Sequence, residues 1–277
     1  IDLLRDGRFR WCAAVVIALL LLSIAAGARH RADAHHQQET ARGEERRTWL
    51  EQGEKHPHAA AHHGMYAFNP SPLLSAFDRG VSPYVGSVIW MEAHRQNDSI
   101  YRPVQDATEI QRFGELSAAM VLQLLVPLLI IFMTFSSVAA ERERGTLRQV
   151  LSLGVRSWHL IAGKALGTAA LLGLLLGGAA LIGLVALLAA SAGEFVSALP
   201  RMAVLAAGYG AYLLVFLMIG LAVSAAARSS RQALIVLLGF WIFNALIAPK
   251  LAAGVAGWLV PTPSAFEFDE EIARLRK

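Results

Sequence analysis

The chain has 277 residues, 55% of them hydrophobic and 17% charged, with a formal charge of +4 and a mean hydropathy of +0.47. Water-soluble domains lie nearer about 45–50% apolar and about 25% charged, so the balance excludes a disordered chain and argues against an ordinary soluble enzyme. The apolar residues fall into five blocks, each long enough to cross a bilayer, since about 20 helical residues at about 1.5 Å each span about 30 Å.

The expected fold class is therefore an all-α integral membrane protein. Five transmembrane helices are expected in this sequence and six in a full-length chain, with a small, mainly helical external domain between the first two. A short segment, 1–10, carries Arg5, Arg8 and Arg10 ahead of the first span at 11–28. A basic start, an apolar stretch and Ala25-Ala26-Gly27-Ala28 also fit a cleavable signal peptide, but four further spans make a retained anchor the simpler reading. Cys12 is the one cysteine, so no intrachain disulfide can form.

Residues 29–112 form the expected external domain. Between 28 and 112 the chain holds ten Lys and Arg and eleven Asp and Glu, a nearly neutral, water-compatible segment. Residues 32–54 read as a helix continuing out of the first span. The stretch 56–86, rich in Pro, Gly and aromatics, reads as loop, and 87–111 as partly helical. Eight of the nine histidines fall here. No metal site is assigned, but His58 and His62 are candidates, because a spacing of four puts two imidazoles on one helix face where zinc or copper can bind. No cysteine assists them.

The second span is expected at 113–140, a cytoplasmic helix at 141–158 and the third span at 159–190. An external loop follows at 191–200, the fourth span at 201–227, a short loop at 228–232 and the fifth span at 233–260. Residues 261–277 begin a second external segment. Lys and Arg in short loops set orientation: residues 1–10, 141–164 and 228–231 carry ten of them, while 191–200 carries none and has Glu194. The three basic segments share one side, which places the N-terminus in the cytoplasm. The spans hold few polar residues. Gln123 and Asn244 are candidates for lining a pathway or bonding a neighbouring helix, and Gly163/Gly167 and Gly173/Gly177 permit close helix approach.

Between spans two and three runs Glu141-Arg142-Glu143-Arg144-Gly145-Thr146-Leu147-Arg148-Gln149-Val150-Leu151-Ser152-Leu153. Leu147, Leu151, Val155 and Trp158 recur at helical spacing, and Arg144, Arg148 and Arg156 fall on other faces, which describes an amphipathic surface helix. Glu141 and Glu143 extend the second span into water. Gly145 allows a change of direction, Thr146 can cap the new helix, and Gly154 offers a break.

This run, closed by Leu160-Ile161-Ala162-Gly163-Lys164, resembles the segment joining spans two and three in type-2 ABC exporter permeases. Pro83-Tyr84-Val85-Gly86 and Trp90-Met91-Glu92-Ala93-His94 resemble a subgroup with a periplasmic domain after the first span. The resemblance implies a permease subunit in the bacterial inner membrane, itself no enzyme. Its coupling helix would dock on a cytoplasmic ABC ATPase through Glu141, Glu143, Gly145, Thr146, Leu147, Arg148 and Leu151. ATP and Mg would be held by that partner, with no cofactor in this chain. A second permease copy, identical or related, completes such a transporter in the lipid bilayer, and no nucleic acid is expected. The residues agree on one point: Gly163-Lys164 is followed by Ala165, and Trp158 stands where a phosphate loop needs its first glycine. The competing readings are a membrane-anchored metal-binding protein or enzyme using the histidine-rich loop, and a sensor anchored by the spans.

Overall fold

The computed structural model describes residues 7–95, 97, 99–102, 116–190 and 192–275. The expected start of the second span at 113–115, and 103–112 of the external domain, lie outside the described residues, as do 1–6, Ser191 and 276–277. Among the described residues, five helices are long and apolar enough to cross a membrane. Helix α1 (Gly7–Leu50) has 44 residues, or about 66 Å at about 1.5 Å per residue, twice the hydrocarbon thickness. Its polar second half therefore stands clear of the bilayer. Ion pairs Arg42–Glu39 and Arg47–Glu44 run along it at helical spacing, each worth about 0.3–0.5 kcal/mol.

That outer half supports a small cap. A five-residue helix α2 (Pro57–Ala61) leads into β1 (Met65–Phe68). After a 3-10 turn (Leu73–Ala76) come α3 (Ser82–Val85), β2 (Val88–Met91) and β3 (Ser99–Ile100). The strands form an antiparallel sheet in the order β1-β2-β3, with Tyr66 opposite Trp90 and their rings 4.6 Å apart. Residues 56–86, read as loop, and 87–111, read as partly helical, thus contribute strands in their described parts. A run as short as Val-Ile-Trp-Met satisfies helix and strand periodicity equally. Its state is set by a partner strand whose paired residues lie 20 to 26 positions away.

The cap is tied to α1 by a hydrogen bond from the Tyr66 amide to Glu45 Oε1 (2.8 Å) and one from Gln38 Nε2 to the Asn69 carbonyl (3.0 Å). The 3-10 turn presses its backbone onto Gly27, where an added Cβ would lie 2.9 Å from the Ala76 carbonyl carbon.

The second span is the hub of the bundle. It comprises α4 (Ala118–Met120), a π turn (Val121–Leu125), α5 (Val126–Thr134) and, after a break at 135–138, α6 (Ala139–Glu143). Val126, Leu129, Ile130, Ile131 and Met133 are buried. Around it stand α1, α8 (Ser157–Ala190) and α9 (Ala192–Ala226), and a fifth span made of α10 (Ser230–Ile242), a second π turn (Phe243–Ile247) and α11 (Ala248–Leu259). In lipid, apolar surface gains nothing by leaving one apolar neighbour for another, so close packing and interhelical hydrogen bonds hold such a bundle. The break in the second span shows how. Buried Ser224 of α9 donates to the Phe135 carbonyl (2.9 Å) and accepts from the amides of Val138 (3.0 Å) and Ala139 (3.2 Å). One hydroxyl thus satisfies three backbone groups that the break leaves open.

Two expectations change here. The segment 191–200, read as a loop, is helical from Ala192. Its Glu194 lies in the first turn, where an acidic side chain favours a helix start, and bonds Arg31 of α1 at 2.7 Å; Pro200 is accommodated inside the helix. The spaced glycines Gly163, Gly167, Gly173 and Gly177 meet no neighbour within 4 Å of an added Cβ. Among the described residues, close approaches between spans are made instead by Gly220, facing Thr134, and more loosely by Gly183, where an added Cβ would lie 3.4 Å from Ile24.

Candidate functional site

At the basic end of the bundle the second span runs out into Glu141-Arg142-Glu143. Each of these side chains holds a different neighbour. Glu141 Oε1 pairs with Lys164 Nζ of α8 at 2.7 Å, and the same ammonium donates to the Ser137 carbonyl (2.7 Å). Arg142 donates to the carbonyls of Ala225 and Ala227 at the end of α9, where a cation meets the negative pole of the helix. Glu143 accepts from the Ser230 amide (3.0 Å) and hydroxyl (2.8 Å) at the start of α10. Glu141 and Glu143 were expected to extend into water; Glu143 is exposed and Glu141 partly so, and both also staple the second span to the third and the fifth. The spacing of the run shows three charges, but their partners lie 23 to 87 residues away in sequence, so no local pattern announces them.

The chain then turns. Gly145 takes φ +75, a left-handed conformation that costs a residue with a Cβ about 1–2 kcal/mol. Helix α7 (Thr146–Ser152) follows. Thr146 was expected to cap it, but Gly145 occupies the cap position and the Thr146 hydroxyl donates back to the Glu141 carbonyl (3.2 Å). That bond joins the turn to the staple. Gly154, at φ +84, ends the excursion before α8. Leu147 is half-buried and Arg148 exposed. Leu151, Leu153, Val155 and Trp158 together present apolar surface to solvent, Leu153 at 82% exposure.

The second polar place lies at the opposite end, under the cap. A cavity of about 790 Å³ opens between the second, fourth and fifth spans, lined by Gln123, Asn244, Tyr209, Tyr212 and Arg201 among apolar side chains, and by Leu74 of the cap. Its volume falls in the range of about 300–1,000 Å³ typical of ligand sites.

Gln123 and Asn244, 121 positions apart in sequence, each sit in a π turn. Each π turn is followed two residues later by a proline, Pro127 or Pro249. A proline in a helix has no N–H for the carbonyl four residues back and crowds it; the π turn relieves that crowding and turns carbonyls outward. For Pro127 the carbonyl is that of Gln123, and the Tyr212 hydroxyl donates to it at 2.9 Å. The Trp241 indole donates to the next carbonyl, Leu124 (2.9 Å). Gln123 Nε2 reaches the Tyr209 hydroxyl (3.0 Å), and Asn244 lines the same cavity as Tyr212. Phe77 of the cap stacks edge-on against Tyr209, with centroids 5.7 Å apart.

Sequence reasoning missed Tyr209, Tyr212, Trp241 and Ser224. A proline four residues after a span glutamine is the one local sign that a carbonyl there needs a donor, and it does not say which helix supplies it. Tyr212→Phe is expected to lower stability by about 1 kcal/mol, the scale of an interhelical hydrogen bond in a membrane. Tyr209→Phe, which loses only an acceptor for a side chain already facing the cavity, should cost less. Unfolding of the detergent-solubilised chain reads both, and a larger loss for Tyr209→Phe would contradict the assignment.

His58 lies on α2 in the cap and His62 at its C-cap, with Nε2 atoms 3.1 Å apart. A family model described as ABC-2 family transporter protein matches residues 2–264. No curated protein and no solved structure gives a match.

Proposed function

The chain belongs to the ABC-2 family of transporter membrane proteins, and from that premise we propose that it is the permease half of an ATP-driven exporter of the bacterial inner membrane. In this reading the basic end faces the cytosol, and α7 with its flanking turns is the coupling element on which a separate ABC ATPase seats. ATP and Mg are held by that ATPase. Two permease copies, identical or related, form the complete pathway.

One observation carries the reading. The staple Glu141-Arg142-Glu143 fastens the second span to the ends of the third, fourth and fifth, and the exposed apolar turn begins two residues beyond it. A push on α7 is therefore delivered to four spans at once rather than absorbed by a loose loop. Movement of packed helices as rigid bodies is the usual way such a displacement reaches a distant site.

The cavity beneath the cap is where we place the substrate. Its walls are largely apolar, its hydrogen-bonding groups converge from three spans, and Arg201 adds a cation. Such a lining suits an amphipathic molecule with a polar or acidic group, and both π turns flank it at the points where their spans depart from regular helix.

Sidedness is the direct test. Gln149 is exposed on α7, so Gln149→Cys in a Cys12→Ser background should react with a membrane-impermeant maleimide in inverted vesicles and not in intact cells. Labelling from outside the cell would overturn the reading. Co-purification supplies the partner: the wild-type chain should retain an ABC ATPase, and Gly145→Pro, which cannot adopt φ +75, should release it.

A further inference from the structure

We propose that His58, His62 and His94 of the cap form a binding site for a divalent first-row transition ion, Zn²⁺ or Cu²⁺. One nitrogen from each ring lies within 4.8 Å of the other two, and all three rings are exposed to solvent. The three imidazoles converge from two separate elements.

The backbone brings them together by design of the local fold. Pro57 starts α2, and the His56 ring at its N-cap accepts from the His58 amide (3.2 Å), which fixes the helix so that His58 and His62 share a face. Glu92 and Arg95 pair across a tight turn, and at its corner His94 takes φ +63. A left-handed conformation is costly for any residue with a Cβ, and glycine or asparagine is the usual solution. A histidine there points a third ring at α2. The Ala93 amide donates to the Ala61 carbonyl (3.2 Å), clamping the turn against the last residue of that helix. The rings of His58 and His62 then lie 5.6 Å and 5.3 Å from that of His94.

The distances suit an ion. Tetrahedral Zn–N bonds of about 2.0–2.1 Å place ligand nitrogens about 3.3 Å apart, and the His58–His62 pair is at 3.1 Å. The His94 ring is exposed, and one of its nitrogens already lies within 4.8 Å of those of the other two. Three neutral nitrogen donors with an open fourth position favour zinc or copper. The absence of carboxylates from the set disfavours calcium and magnesium, which take oxygen. No thiolate is available, because Cys12, the one cysteine, lies on α1 near the basic end. An ion held here joins α2 to the β2 turn.

The test uses the full-length chain, metal-stripped in detergent, titrated with Zn²⁺ alone against a chromophoric competing chelator, and separately with Cu²⁺ followed by electron paramagnetic resonance. One saturable equivalent per chain is expected, with a Cu²⁺ spectrum reporting three nitrogens. His62→Ala and His94→Ala should each weaken binding at least about tenfold, as much as losing a supporting group around a metal does. His94→Gly is the decisive variant, because it relieves the left-handed strain and removes only the ligand. It should fold at least as stably, lose affinity to the same extent and show two nitrogens. His36→Ala, on α1, should bind as the wild type. No stoichiometric uptake, undiminished affinity in His94→Gly, or an equal loss in His36→Ala would each overturn the site.

Discussion

Gly220→Ala is expected to destabilise the bundle by about 1–3 kcal/mol, the cost of forcing volume into a packed interior, and Gly220→Val by more. An added Cβ would lie 2.9 Å from the Thr134 Cβ and inside the contact distance of its hydroxyl. Thr134 cannot turn away, since it is fully buried and its hydroxyl donates to the Ile130 carbonyl at 2.8 Å. Four residues on, Ser224 closes the break in the second span, so separating α9 from α5 at Gly220 also strains those three bonds. Thermal unfolding of the purified chain in detergent measures the loss. Thr134→Ala should restore much of it in the double variant, because it removes the atoms that the new methyl meets, and coupled neighbours are the case in which mutational effects fail to add. Wild-type stability in Gly220→Ala would show that the second and fourth spans do not meet there.

Leu151→Asp is expected to uncouple the transporter while leaving the chain folded. Leu151 is 39% exposed on α7 and belongs to no buried cluster, so the chain alone should unfold at the wild-type temperature. In the proposed complex the same side chain is covered by the ATPase. Burying a carboxylate there should cost about 2 kcal/mol or more, the scale of an interface hot spot, which is roughly 30-fold in affinity. Pull-down of the ATPase and nucleotide hydrolysis in proteoliposomes are the readouts, with Leu151→Ile expected to behave as wild type. An ATPase that stays bound and active in Leu151→Asp would remove α7 from the coupling role and leave the cavity without a known drive.

Legibility differs sharply from one part of this molecule to another. The five spans are written locally, since a run of some twenty apolar residues needs no partner to identify it, and the direction change at Gly145 and the break at Gly154 are likewise single-residue properties. The cap was legible only as a polar segment. Its short strands carry no decisive period, and Val88–Met91 becomes a strand because Met65–Phe68 lies beside it.

Among the candidate residues, Gln123 and Asn244 stood out individually as polar groups in apolar surroundings. That one cavity holds both, with Tyr209 and Tyr212 between them, is a matter of how three spans cross. Glu141 and Glu143 were visible as charges at a span end, but not their bonds to Lys164 and Ser230, which come from distant segments.

Composition and order alone determined that this is a five-span, mainly helical membrane chain with a polar cap and a basic end, because hydropathy, helix length and loop charge act over a few turns of one segment. Tertiary structure alone decided which glycine admits a neighbour, which hydroxyl heals the break in the second span, and which histidine joins His58 and His62. Those outcomes depend on groups from distant segments arriving within a few ångströms, and hydrogen bonding, steric exclusion and metal ligation act only at that range.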